Sequence, residues 1–373
     1  MEWQSAYYQA PHDFRASPFT YPQLSQVIKI TPFIAGSRVR LCLTNRFGVQ
    51  RLTFERIAIS DTPTFTESIE LGALTVQPGQ EAQTNEASLT IVAGQPVYVL
   101  MVAQQEQTYC DYACTYEASW VSAGITRRAD KVPRLNDRWQ IRKSWFSFAG
   151  LEVLSDRAVT TVNLTGDSLV ETGMLAAGMF ELSQRDCPGQ ITWRMTGISG
   201  NRLVLDEPQN KLPERTFGPA LLNRLADVTT EPASLTVALI GGNDLLLPLA
   251  NPGGGQPVPE VATLIKAYQR LADYFARERQ ILLLPTLAPL RLPGDPAAFK
   301  PGEKEVNQKR LILNQWLRGQ AWIIDTADAM TAPEVAVLNP ADDFGDHLHL
   351  SPVGGRHLAR LLWPRIKDEL GLN

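Results

Sequence analysis

Cysteine is scarce in this chain: Cys42, Cys110, Cys114 and Cys187 are the only four in 373 residues. That is too few for a disulfide framework in a chain of this length. Cys110 and Cys114 lie close together, but no second pair of ligands accompanies them, so no zinc site is expected. All four are expected to be free thiols in a reducing compartment. Long apolar runs are missing too. No uninterrupted stretch approaches the ~20 residues a membrane-crossing helix needs, so no membrane partner is expected. Charge of one sign is lacking as well: 35 Lys and Arg face 39 Asp and Glu, a net charge of −4. This balance offers no electrostatic case for nucleic acid or an anionic membrane surface. The opening Met1-Glu2-Trp3-Gln4-Ser5 has neither the basic nor the apolar region of a secretory signal, so a cytoplasmic location is expected. Histidine is rare, with four in the chain, yet His347, His349 and His357 fall within eleven residues of one another.

What is present is the composition of a soluble globular protein, 44% hydrophobic and 20% charged. The length exceeds one ordinary core, so two domains are the default expectation. Residues 1–155 read as short strands. Ser37–Thr44 and Leu52–Ile59 alternate polar and apolar residues with period two, and Ser88–Val92 and Pro96–Val102 are further short apolar runs. Turn signals at Ala35-Gly36, Phe47-Gly48 and Pro78-Gly79 punctuate them. This pattern predicts an all-β sandwich or jelly roll.

Residues 156–373 read differently. Ala158–Leu164, Ile191–Met195, Ser234–Ile240, Gln280–Leu284 and Ala321–Asp325 are strand-like. Helical patterns lie between or after them, clearest at Val261–Arg279, Glu303–Leu317 and Val353–Leu370. Strand–helix alternation predicts an α/β domain with a doubly wound parallel sheet. In such sheets function sits outside the carboxyl ends of the strands. Pro248–Pro259 and Leu290–Gly302 are rich in Pro and Gly and are expected to be irregular loops near that edge.

Four short segments fall where that edge should be. Ser168, in Gly166-Asp167-Ser168-Leu169, follows the first strand of the α/β half. It reads either as a nucleophile presented beside the N–H groups of a following helix or as an ordinary helix N-cap. Gly200 follows the second strand and suits either close approach of backbone to a ligand or a plain turn. Asn243 follows Gly241-Gly242 after the third strand, as a side-chain amide donor or a turn residue. Near the C-terminus, Asp346 and His349 are three apart, which on a helical turn puts both on one face. His takes and returns a proton near neutral pH, and a Ser hydroxyl needs such a base to become a nucleophile. Asp342 and Asp343 compete with Asp346 as the acid, but only Asp346 has this spacing. His347 is expected to point away at the rim, His357 to be structural and His12 isolated. Asp167 and Asp244 are expected to brace their turns through hydrogen bonds to backbone.

Taken in order, Gly-Asp-Ser-Leu, Gly200, Gly-Gly-Asn-Asp and Asp-x-x-His resemble the four motif blocks of the SGNH (GDSL-like) hydrolase family, over about residues 158–365. That resemblance implies a flavodoxin-like sheet with strand order 2-1-3-4-5. It implies Ser168 as nucleophile, His349 as general base and Asp346 as the group that orients it. The Ser168 and Gly200 backbone N–H groups and the Asn243 side chain would form the oxyanion hole. It also implies no metal and no organic cofactor.

A second, smaller resemblance lies in Arg38–Gly48. It is similar to a segment of bacterial SGNH hydrolases that carry an N-terminal β-sandwich or jelly-roll domain, among them carbohydrate acetylesterase-like members and an acyltransferase. No functional residue is carried over from it. Trp120, Trp139 and Trp145 could stack on a sugar or belong to the core. The expected activity is hydrolysis of a short, acetyl-type O-acyl ester of a carbohydrate or other small alcohol, with a small-molecule ester as partner. An acyltransferase using the same residues, and a carbohydrate-binding protein with vestigial activity, stand as alternatives.

Overall fold

The computed structural model describes residues 1–115, 121–124, 140–295, 298–333 and 336–372. The chain forms two compact units: Met1–Thr160 with Cys187–Arg194, and Thr161–Asp186 with Met195–Asn373. The β-to-α/β transition therefore falls a few residues beyond 155, and a short segment near residue 190 counts with the first unit.

The first unit is β-structure. Glu2–Gln9 and Gly36–Thr44 flank Phe148–Ser155 in antiparallel pairs. A six-stranded sheet runs Gln140–Arg142, Val121–Gly124, Leu24–Ile30, Val97–Ala103, Leu52–Ser60 and Ile69–Val76. Alternation is visible where it was expected: Val39, Leu41 and Leu43 are fully buried while the alternating Arg38, Arg40 and Cys42 are not. Trp145 is also fully buried, and its indole Nε1 donates to the Phe148 carbonyl at 2.8 Å. It is a core residue, and the sugar-stacking expectation does not hold for it. Trp120 and Trp139 lie outside the described residues.

The second unit carries the site. The strands that lead to it are β1 (Thr160–Gly166), β2 (Ile191–Gly197), whose first four residues count with the first unit, β3 (Leu235–Leu239), β4 (Ile281–Pro285) and β5 (Ile323–Ile324). Their order in the sheet is β2-β1-β3-β4-β5. The β1–β3, β3–β4 and β4–β5 pairs are parallel. Every residue of β3 is buried, as a central strand covered on both faces requires. β5 is shorter than Ala321–Asp325. It pairs with β4 only through Leu284↔Ile323 and Pro285↔Ile324.

The helices are α1 (Ser168–Glu171), α2 (Met174–Asp186), α3 (Leu225–Val228), α4 (Gly242–Ala250), α5 (Val261–Arg277), α6 (Glu303–Leu317) and α7 (Pro352–Leu370). α5 is amphipathic: Leu264, Ala267, Tyr268, Leu271 and Phe275 recur at helical spacing and are all buried. α7 begins with Ser351, whose side chain accepts from Gly354 N–H, followed by Pro352, and ends at Gly371 in the left-handed region. One sequence expectation needs correction. Pro248 is not in an irregular loop but in the last turn of α4. Proline removes a single i→i−4 bond there, and Asn251 N–H still closes the helix on the Leu247 carbonyl at 2.8 Å.

Candidate active site

The register brings the carboxyl ends of β1 and β3 level, with Gly166 opposite Leu239. Gly166 has φ +133°, and a Cβ there would meet the Leu239 carbonyl. Only glycine lets β1 end this close to β3 and turn into α1. Asp167, not Ser168, is the N-cap: its carboxylate accepts from Leu169 N–H at 3.0 Å. Ser168 is thereby the first residue of α1, with its hydroxyl free for another partner.

That partner is His349. Its Nε2 lies 2.9 Å from Ser168 Oγ. On the other side of the ring, Nδ1 lies 2.6 Å from Asp346 Oδ2. The Asp346–His349 pair does not sit on a helix. Residues 341–350 are turns and bends closed by an antiparallel bridge between Asp343 and Leu350. Asp346 Oδ1 accepts the backbone N–H of Leu348 at 3.1 Å and of His349 at 2.8 Å. One carboxylate oxygen folds the loop while the other orients the ring. The i, i+3 spacing is right, but an aspartate-closed loop realises it rather than a helical turn. Partial burial pushes the Asp346 carboxyl up, but hydrogen bonds from the His349 N–H and ring, and from Leu348 N–H, outweigh it. The group is held below its ordinary value.

The neighbouring aspartates each hold a different histidine. Asp342 Oδ2 lies 2.9 Å from His357 Nδ1, and Asp343 Oδ2 lies 2.6 Å from His347 Nδ1. His347 is partly exposed and also makes a tie between two loops. Its Nε2 lies 3.1 Å from the Gly294 carbonyl, so it ties the 342–350 loop to the Leu290–Gly302 segment. His12 is buried edge-on between Phe14 and Tyr112.

Asn243 stands in the first turn of α4, and its Nδ2 donates to the Asn201 carbonyl at 3.1 Å. It lines the same cavity as Ser168. Gly200 lies in the turn after β2 with φ +76°, where a Cβ would enter the Phe217 ring. Its turn is linked to Asn243 through the Asn201 carbonyl and to α1 through Ser199 N–H, which donates to Glu171 Oε2 at 2.8 Å.

Asp167 braces its own turn, whereas Asp244 braces the distant segment that follows β2. Asp244 accepts backbone N–H groups of Leu203 and Val204 at 2.6 and 2.9 Å. Burial pushes Asp167 up to about 7 and Asp244 up to about 6.

Sequence reasoning missed Arg224. It is buried, and its guanidinium donates to three acceptors: the Gly166 carbonyl at 3.0 Å, the Thr196 carbonyl at 3.1 Å and Asn201 Oδ1 at 3.0 Å. It thereby joins the end of β1, the end of β2 and the residue on which Asn243 rests. Burial lowers its pKa to about 10. Nothing in the flanking Leu-Asn-Arg-Leu-Ala marks this arginine as different from a solvated surface charge.

Among the described residues, no group of three or more His, Cys, Asp or Glu could hold a metal ion, and no helix is long and apolar enough to cross a membrane. A serine hydroxyl stands beside a carboxylate-oriented imidazole, and the Asn243 amide lines the same cavity as that serine.

No protein-family model matches the chain, and no curated protein matches it. Solved structures do. The chain is similar to the acetyl xylan esterase AlAXEase, with 19% identity over 55% of this chain and 99% of that one, at a TM-score of 0.42. It is similar to a carbohydrate acetylesterase family member from Sinorhizobium meliloti, with 18% identity over 57% of this chain and 100% of that one, at 0.41. A family two carbohydrate esterase from Cellvibrio japonicus matches along 99% of this chain and 96% of its own, at 13% identity and 0.39. At these identities and scores the chemistry rests on the geometry of the site alone.

Proposed function

We propose that this chain is a serine esterase of SGNH type that hydrolyses a short O-acyl ester of a small alcohol, such as an acylated sugar. In this reading residues 156–373 are a flavodoxin-like catalytic domain, and residues 1–155 are a β-sandwich or jelly-roll domain at its N-terminal side. The observation that carries the reading is the continuous chain Ser168 Oγ–His349 Nε2 and His349 Nδ1–Asp346 Oδ2, at 2.9 and 2.6 Å.

The reaction follows from those contacts. His349 Nε2 takes the Ser168 hydroxyl proton as Oγ bonds to the ester carbonyl carbon. The carbonyl π-electrons move onto its oxygen. The Asn243 side-chain amide supports that oxyanion, together with the N–H groups of Ser168 and Gly200. The Asp346 carboxylate stabilises the imidazolium. As the tetrahedral adduct collapses, the C–O bond to the alcohol breaks, and His349 returns the proton to the departing oxygen. Water, deprotonated by His349, then attacks the acyl-enzyme and releases the acid and Ser168.

p-Nitrophenyl acetate turnover by the wild type and by Ser168→Ala tests the reading. Full turnover by the variant refutes it. Supplying alcohols alongside water separates hydrolysis from transfer, since a dominant transfer product would make the chain an acyltransferase.

A further inference from the structure

The cavity at Ser168 identifies the acyl group. Its volume is about 50 Å³, and Ser168 and Asn243 are among the residues that line it. Its walls include Leu239, Leu290, Met330, Leu338, Leu350 and Leu358, all of them buried. Two threonines also line it, but their polar atoms are engaged. Thr286 Oγ1 donates to Asp325 Oδ1 at 2.9 Å and accepts from Thr326 and Ala327 N–H, each at 2.9 Å. Thr326 Oγ1 donates to the Thr286 carbonyl at 3.4 Å. Apart from Asp167, Ser168 and Asn243, the described side chains of this wall offer no unengaged polar group to recognise the hydroxyls of a sugar.

Two arguments then assign the cavity to the acyl chain. A polyol placed there would lose its water hydrogen bonds without replacement, whereas an alkyl chain gains from the same surroundings. The alcohol must also leave, and water must take its place beside His349, so the leaving-group side has to be open to solvent. The His349 and Asp346 side chains are partly exposed, at 29% and 33%, while the leucines that line the cavity are buried. At 10–15 Å³ for each water-sized group, 50 Å³ has room for about four.

Resting on the esterase reading above, we infer that the acyl substrate is a butanoyl- to pentanoyl-sized alkyl group, linear or branched, and not acetyl. The apolar cavity bounded by Leu290, Met330 and Leu338 selects it. Each methylene that enters should raise kcat/KM about fourfold, and chains too long for the cavity should lose that gain.

A p-nitrophenyl ester series from acetate to decanoate, run on the purified chain, tests this. The expected result is a maximum at butanoate or pentanoate, roughly tenfold or more above acetate, with a decline by octanoate. Leu338→Ala should move the maximum to longer chains, and Leu338→Phe should move it toward acetate. The ratio of two esters measured on one preparation is independent of how much of a variant folds. A maximum at acetate that Ser168→Ala abolishes overturns this inference and leaves the esterase reading standing. Turnover of no ester, with no labelling of Ser168 by a fluorophosphonate, overturns both. An unmoved maximum in both Leu338 variants also overturns the inference.

Discussion

Ser168 Oγ and His349 Nε2 are 2.9 Å apart although 181 residues separate them in sequence. Neither side chain is reactive alone. A serine hydroxyl is a weak nucleophile at its free pKa, and a histidine without an oriented tautomer transfers protons poorly. Ser168→Ala, His349→Ala and Asp346→Asn should each lower kcat/KM for a p-nitrophenyl ester by about 10³-fold or more. The double variant Ser168→Ala/His349→Ala should be little worse than either single one, because the residues act as a unit. Multiplicative losses in steady-state assays would mean that they act separately.

Asn243 is held by its own hydrogen bond to the Asn201 carbonyl, which aims the amide before any substrate arrives. Asn243→Ala should lower kcat by about 10²–10³-fold, the usual cost of one oxyanion donor, with a smaller effect on KM. A change confined to KM would show that Asn243 contacts the ground state and not the developing oxyanion.

Arg224 holds the ends of β1 and β2 and the Asn201 side chain in one planar fork. A lysine has the charge but not the fork. Arg224→Lys should therefore lower kcat at least about tenfold, with KM for a p-nitrophenyl ester nearly unchanged. Arg224→Met should in addition lower stability by about 2 kcal/mol or more, since three buried acceptors lose their donor. Denaturant titration beside the kinetics separates the two effects. Full kcat in the folded Lys variant would reduce Arg224 to a purely structural residue.

Asp167 and Asp244 make stability depend on pH in a stated direction. Burial raises Asp167 to about 7 from an ordinary 3.8, and Asp244 to about 6. A carboxyl raised on folding favours the folded state in its protonated form. Its contribution is full below about pH 4 and is lost as pH rises through 6 to 7. Asp167→Asn keeps an oxygen for Leu169 N–H and removes the titration. It should gain stability relative to the wild type at pH 8, on the order of 1–4 kcal/mol, and gain little at pH 4.5. Melting curves at both values check this. An equal difference at the two pH values would place the Asp167 titration elsewhere.

Much of the α/β half was legible because its signals are local. Four buried strands follow from runs such as Leu235–Leu239, and α5 follows from apolar residues at helical spacing. The motif residues Ser168, Asn243, Asp346 and His349 were legible because each lies beside a strand end or an Asp-x-x-His pair. Less legible was how the pairs are built. Asp346 meets His349 through an aspartate-closed loop, and His347 reaches across to the Gly294 carbonyl, which no spacing rule describes. Pro248 read as a helix breaker, yet a proline in the final turn leaves most of a helix intact.

Periodicity and turn chemistry by themselves determined that this chain has a β-rich half and an α/β half, and where the chemistry should gather. Those are properties of neighbouring residues, set by backbone sterics and by which faces must be buried. Only the tertiary structure decided that His347 reaches across to the Gly294 carbonyl, that Arg224 is a buried clamp, and that Ser168 lines an apolar cavity. Each of these depends on residues distant in sequence meeting in a low-dielectric interior, where unpaired donors and acceptors are costly and partners are selected by that cost.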